Sequence, residues 1–203
     1  MPLITPELFS RASKCTIFNK EQDTINDWYF NNKLHNAVRS GKSEEVECLL
    51  TNGYNPLKFD GHGRSILHLS MSNTCPDIIT TSIVKSKILD VDVKSSEGLT
   101  PLQLAAIYGH KSKVELMIKL GANVSAVDSD GETAIFNCHP NCLEFLLNNG
   151  IDLAIRNNVG RTFEEHWKFL EWNSGGITPI QWCNKYTYKD LHRIYKEWVN
   201  TKY

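Results

Sequence analysis

No stretch of this 203-residue sequence approaches the roughly 18 consecutive apolar residues that a membrane-spanning helix needs. The opening residues, MPLITPELFSRASKC, lack both a basic start and a continuous apolar core, so a secretory leader is not expected. An excess of one charge is missing too. With 22 Lys and Arg against 23 Asp and Glu, the formal net charge is −1, and bulk electrostatics gives no case for nucleic acid or an anionic membrane as partner. Glycine-rich phosphate loops, nucleophile elbows and zinc-protease helices are absent, which removes the common enzyme motifs. The six cysteines stand singly except for Cys138 and Cys142. Without a leader they are expected to be reduced thiols buried as small apolar side chains, in a protein of the cytoplasm or nucleus.

What is present is most regular between Gly98 and Asp128, GLTPLQLAAIYGHKSKVELMIKLGANVSAVD. Thr100 is a good helix N-cap, Pro101 suits the first helical position, and Gln103 completes a Thr-x-x-Gln capping box. Leu102, Leu104, Ala105 and Ala106 make a short helix that ends at Gly109-His110. A second helix follows with Val114, Leu116, Met117 and Leu120 apolar, and Gly121 is placed to end it in a left-handed conformation.

Glycines carry the register through the rest of the chain. Gly63, Gly98, Gly131 and Gly160 each open a candidate unit, at spacings of 35, 33 and 29 residues. Ten residues before three of them stands another glycine (Gly53, Gly121, Gly150), whereas Ile88 takes that place before Gly98. One glycine to end a helix and one for the turn beyond is what a finger between helix pairs requires. With its Thr-Pro-Leu-x-x-Ala element and period of about 33, the stretch resembles an ankyrin repeat.

The resemblance runs from Tyr29 to about Gly160 and implies an all-α solenoid of four to five helix–turn–helix repeats with β-hairpin fingers. Repeats are expected over 29–60, 61–96, 97–129 and 130–159, after an N-terminal arm over 1–28. In the second repeat, Thr74-Cys75-Pro76 replaces the central Gly-His, and two extra residues follow. The fourth is four residues short and turns from its first helix into its second at His139-Pro140, so its first helix is expected to lose a turn. Residues 160–203 hold a degenerate repeat and four of the five tryptophans, and read as an aromatic-rich C-terminal cap with helices near 162–172, 178–185 and 187–200. A dedicated partner-binding tail is the rival reading.

Each candidate for chemistry has a plainer explanation. Cys138-His139-Pro140-Asn141-Cys142 has ligand-type residues, but a structural zinc site draws four ligands, usually from two clusters, and no second cluster is visible. The plain reading is an interhelical turn with buried thiols. His35 and His68 occupy the fourth position of the Thr-Pro-Leu-His element, where the family places a histidine that hydrogen-bonds backbone; His110 sits at the family's Gly-His turn. Glu164, Glu165 and His166 are adjacent on a helix and so point in different directions. Lys85, Lys87, Lys111 and Lys113 are small basic groups expected on a solvated face. No catalytic residue, metal or cofactor is expected, and the protein is read as a non-enzyme.

The family resemblance implies protein partners, held on finger tips and first helices. By position the contact residues are Phe59, His62, Arg64, Ser72 and Asn73 in the earlier repeats. Glu97, Leu99, Ile107 and Tyr108 follow in the third, then Asp130, Glu132 and Arg161. Leu99, Ile107 and Tyr108 are apolar or aromatic where the fold should leave them open, the composition of an interface anchor. Asp128, Asp130 and Glu132 form an acidic flank, and Lys58, His62 and Arg64 a basic one. The expected role is an inhibitor, adaptor or assembly factor, as a monomer or a subunit of a hetero-complex. The alternative is a structural subunit that binds through residues 160–203.

Overall fold

A computed structural model describes residues 27–51, 54, 56, 59–173 and 188–202. The expected arm up to residue 26, Gly53, Lys58 and the helix expected at 178–185 lie outside the described residues. The chain divides into two compact units between Asp90 and Val91. Every regular element among the described residues is an α-helix.

The first unit holds two helix pairs: α1 (Asp27–Arg39) with α2 (Ser43–Thr51), and α3 (Ile66–Leu69) with α4 (Asp77–Lys85). Pairing follows the apolar spacing. Leu34, Ala37 and Val38 of α1 and Val46 and Leu49 of α2 are buried, and so are Ile66, Leu67 and Leu69 of α3 and Ile79 and Ile83 of α4. Helix α3 is opened by a reciprocal cap in which Ser65 N donates to His68 Nδ1 (3.2 Å) and His68 N donates to Ser65 Oγ (3.5 Å). His68 thus does the structural work expected of it.

The second unit begins with α5 (Pro101–Ile107) and α6 (Lys111–Lys119), which pack on each other. The Thr100–Gln103 capping box forms as the sequence predicts: Thr100 N donates to Gln103 Oε1 (2.8 Å) and Gln103 N to Thr100 Oγ1 (3.2 Å). Gln103 also donates through Nε2 to the Glu132 carbonyl (2.7 Å), tying this helix to the next finger. The shortened repeat loses more than a turn. Residues 134–136 form only a turn, with Phe136 N on Thr133 O, before α7 (Pro140–Asn148) starts. Pro140 takes the first helical position, where its missing N–H costs nothing, and His139 caps the helix by accepting Asn141 N at Nδ1 (3.1 Å). Helices α8 (Phe163–Asn173) and α9 (Tyr188–Lys202) end the unit, and α9 packs on both α7 and α8.

The fingers are built on one repeated local rule. Asp60, Ser95, Asp128 and Asn157 each donate their N–H to the carbonyl four residues on and accept the N–H of the glycine three residues on. Their side chains accept from the same loops, as when Asp128 Oδ1 takes the N–H of Asp130 and of Glu132 (both 2.9 Å). The glycines lie at φ between +63 and +78°, which explains the register read from the sequence. No strand is assigned among the described residues, so the expected β-hairpins amount to these hydrogen-bonded tips. At the end of α4, where no glycine stands, Lys87 takes the left-handed conformation itself, at φ 55°.

Two composition-based expectations are corrected. Cys48 is disulfide-bonded, whereas Cys75, Cys138 and Cys142 are buried free thiols. Lys85, Lys87 and Lys111 are exposed, but Lys113 is buried at 2% exposure on the helix face that carries Val114 and Met117. Burial there follows helical position rather than side-chain polarity, the stem of a lysine being apolar.

Candidate functional site

In the second unit three finger tips, 95–99, 128–132 and 157–161, are laced together by backbone. Ser129 N donates to Glu97 O (3.2 Å) and Asn158 N to Asp130 O (2.8 Å), while Asn158 Nδ2 reaches Ser129 O (2.8 Å). These bonds bring Glu97, Leu99, Asp130, Glu132 and Arg161 onto consecutive tips. Glu97 and Asp130 are exposed, and Leu99, Ile107 and Tyr108 are half-buried. The Tyr108 ring meets His110 at 5.8 Å between centroids, tilted by 46°. Arg161 is half-buried, with its guanidinium carbon 3.6 Å over the Phe169 ring, a placement that favours a cation on an aromatic face.

Glu132 departs from its expected role. Its side chain is buried rather than presented, 7% of the residue being exposed. Oε2 accepts Asn137 Nδ2 (2.7 Å), Oε1 accepts Asn157 Nδ2 (2.8 Å), and His166 Nδ1 lies 3.3 Å from Oε1. The carboxylate therefore joins its own turn, the next finger and α8, because a buried charge is tolerated only where donors converge on it. Burial holds His166 below the ordinary imidazole range; Glu132 pulls the other way and Arg161 adds to the depression. Asp128 is pushed up by burial, against the loop N–H bonds from Glu132 and Asp130. The acidic flank expected at residues 128–132 thus reduces on the surface chiefly to Asp130.

The first unit carries the other positions. Phe59 is 48% exposed, and His62 and Asn73 are exposed. Ser72 is half-buried and shares a hydrogen bond with Thr74 Oγ1 (2.8 Å). Arg64 is engaged at home: Nη2 and Nε bind Asp60 Oδ2 at 2.9 and 3.0 Å, and Arg39 Nη2 binds the same oxygen at 2.9 Å. Burial alone would raise the Asp60 carboxyl, but hydrogen bonds from Arg64 and the His62 backbone outweigh it and hold the pKa at about 2.

The remaining chemical candidates have structural roles. Cys138 and Cys142 are buried, and burial pushes the Cys142 thiol up to about 12 and Cys138 well above its ordinary value. His139 caps α7, and its backbone N–H binds Ala106 O (2.9 Å). Glu165 binds Arg156 (2.9 Å) and Thr162 N (2.8 Å), pointing away from the Glu132–His166 contact that its neighbour makes. Among the described residues no three His, Cys, Asp or Glu side chains converge as metal ligands, and no helix is long and apolar enough to cross a membrane. The Glu132 network escaped sequence reading because its donors come from residues 5 and 25 positions downstream and look like ordinary loop asparagines.

Comparison with known proteins bears on residues 79–157, which match the family model described as ankyrin repeats in three copies. The B-cell lymphoma 3 protein homolog of Mus musculus is 31% identical over 127 residues, covering 59% of this chain and 28% of that protein. The nuclear factor NF-kappa-B p105 subunit of Gallus gallus is 32% identical over 120 residues, covering 58% of this chain and 12% of its own length. Palmitoyltransferase AKR1 of Saccharomyces cerevisiae is 29% identical over 113 residues, 52% of this chain and 15% of that protein. The chain thus spans well under a third of each of these relatives. Ankyrin repeats are in general non-catalytic modules that mediate protein–protein interaction.

Proposed function

We propose that this chain, an ankyrin-repeat protein, is a non-catalytic module that holds a protein partner on the exposed tips and first helices of its repeats. In that role it acts as an inhibitor, adaptor or assembly factor in the cytoplasm or nucleus. The observation that carries the reading is that Leu99, Ile107 and Tyr108 stay half-open while Glu97 and Asp130 are exposed. Apolar and aromatic anchors with a charged rim are the composition of binding hot spots. In the first unit, Phe59, His62 and Asn73 are the exposed positions we assign to the same task. Arg161 joins the second-unit surface at its edge. Glu132, being buried, ties those tips together rather than meeting a partner, and in the first unit Arg64 and Ser72 are held by their local bonds.

Residues 160–203 are read as a cap rather than the main interface. Support comes from the aromatics that pack inward, although Trp172 is left 83% exposed. Trp167 is fully buried and donates to Phe136 O (2.8 Å), Phe163 packs edge-on to Trp167 and Tyr195, and Trp198 donates to Asn148 Oδ1 (2.9 Å).

Recovery of partner from the native source by wild type and by Ile107→Ala/Tyr108→Ala tests the surface. Loss of partner with a cooperative melt that is lowered but still complete well above the assay temperature is expected; undiminished recovery would remove the assignment. Truncation at Gly160 tests the cap. The shortened chain is expected to unfold, whereas a folded chain that has lost its partner would make the tail the interface.

A further inference from the structure

We propose that the outer side of α8, together with the finger tip at 157–161, docks a segment of a protein partner in which an apolar side chain stands beside a carboxylate. Helix α8 spends one side on the core: Phe163 and Trp167 are buried, and Trp167 donates to Phe136 O (2.8 Å). Glu165, Phe169 and Trp172 recur at helical spacing and so share a different side. On it Trp172 is 83% exposed and Phe169 38%. Tryptophan is on average largely buried, so one standing this far into solvent marks a surface built to be covered. The site shares Arg161 with the proposed finger surface but none of Leu99, Ile107 and Tyr108, and it holds whether or not those three bind.

The occupant follows from Arg161. Its guanidinium carbon lies 3.6 Å from the centre of the Phe169 ring. Among the described residues its side-chain nitrogens make no hydrogen bond or ion pair, and only its backbone N–H is used, on Asn157 Oδ1 (3.0 Å). A guanidinium stacked on a ring keeps its donors in its own plane, where they meet a planar carboxylate in pairs. The nearby acids are committed elsewhere. Glu165 binds Arg156 (2.9 Å) and the Thr162 N–H (2.8 Å), and Glu132 is held by Asn137 and Asn157. Glu164 lies further round α8, away from Phe169 and Trp172. A carboxylate brought by a partner completes Arg161, and the exposed Lys168, four residues before Trp172, is a second cation on its path. About 5 Å of helix rise separates Phe169 from Trp172, which sets the partner's apolar side chain within a few residues of its acid. Other anionic ligands fit less well. Bases stack on open aromatic faces, and one face of Phe169 is taken by Arg161. A nucleic-acid backbone or an anionic bilayer would also approach the exposed Glu97, Asp130 and Glu165, which repel both.

The test uses the full chain and a fluorescein-labelled peptide that sets one leucine between pairs of glutamates, followed by anisotropy at physiological salt. Saturable binding is expected, weakened about tenfold by Arg161→Gln and by Trp172→Ala. Peptides with serine for leucine, or with glutamine for glutamate, are each expected to bind about tenfold more weakly, since acid and apolar side chain act together. Ile78→Ala/Lys111→Gln removes an exposed apolar side chain and an exposed cation elsewhere, and is expected to bind as wild type does. The same is expected of Ile107→Ala/Tyr108→Ala, which separates this site from the finger surface. As a check that requires no variant to fold, hydroxyl-radical footprinting of the wild type is expected to show that the peptide protects Phe169 and Trp172 but not Ile78. The proposal is overturned if the peptide does not bind, if the serine peptide binds as tightly, or if protection falls outside α8. Equal loss in Ile78→Ala/Lys111→Gln overturns it, and so does loss in Ile107→Ala/Tyr108→Ala alone, which would place the peptide on the finger tips. Tighter binding of a single-stranded oligonucleotide or of phosphatidylserine vesicles, or a dimer in sedimentation that Trp172→Ala abolishes, overturns it as well.

Discussion

The most informative single perturbation is at Glu132, where an exposed contact residue and a buried structural one would behave in opposite ways. Truncation by Glu132→Ala removes the acceptor of two amides with different exposure. Asn157 is 5% exposed, so its Nδ2 is left with the long 3.5 Å contact to His166 Nδ1 in place of the carboxylate, at a cost of about 1–3 kcal/mol. Asn137 is half-buried and turns to water at a cost of about 1 kcal/mol or less. The sum is roughly 1–4 kcal/mol, which for a chain of this length lowers the melting temperature by about 2–16 °C. Glu132→Gln keeps one oxygen for Asn157 and sets its own amide against Asn137. That change is expected to cost about 1 kcal/mol, or roughly 2–4 °C. Circular-dichroism melts of both variants give the order, and a cycle with Asn157→Ala isolates the contact. A coupling of at least about 0.5 kcal/mol is expected between Glu132→Ala and Asn157→Ala. Strict additivity, or melting at the wild-type temperature with loss of partner binding, would refute the buried network and return Glu132 to the surface.

Three further outcomes follow from the same structure. Lys87→Gly relieves a non-glycine residue at positive φ and is expected to stabilise the first unit by about 0.5–1 kcal/mol, read as a rise in urea midpoint; an unchanged or lower midpoint goes against it. His139 and His166 are both held below the ordinary imidazole value of 6.5, chiefly by burial. A depressed histidine leaves the unfolded chain binding more protons just below 6.5, so stability is full above that pH and falls as pH drops through it toward the folded-state values. Melts between about pH 7.5 and 5 check the sign, and a rise in stability over that fall would contradict it. Cys138 and Cys142, their thiols raised by burial, are expected to resist iodoacetamide in the folded chain and to react in urea; rapid native labelling by mass spectrometry counts against the burial.

Legibility in the sequence follows the range of the interaction. Capping at Thr100–Gln103, the finger glycines and the start of the last helix near 187–188 depend on residues within about four positions of each other, and all could be read. The fourth repeat's first helix was expected to lose a turn and is reduced to one, since Pro140 fixes where α7 begins and leaves too few residues behind it. The missing glycine near residue 88 announced an irregularity. That Lys87 would take the left-handed conformation depends on the chain beyond α4 having to turn at that point, which residue type alone does not specify. Glu132 was misread because ankyrin positions assign exposure by local register, while its burial comes from Asn157 and His166.

That misreading changes what a partner would meet. If Glu132 and Asp128 were free at the tips, an acidic cluster would dominate and a strongly basic ligand would be the natural complement. Instead Asp128 is spent on the N–H groups of Asp130 and Glu132, and Glu132 on two amides. The exposed acids left on these tips are Glu97 and Asp130, on neighbouring fingers that backbone bonds hold in register. Rim charges of this kind mainly steer encounter and select orientation, contributing little affinity once solvated. On the proposed reading, affinity rests on Leu99, Ile107 and Tyr108. Their half-burial is compatible with that, since an anchor supported on one side by its own fold loses less freedom on binding than a fully exposed side chain.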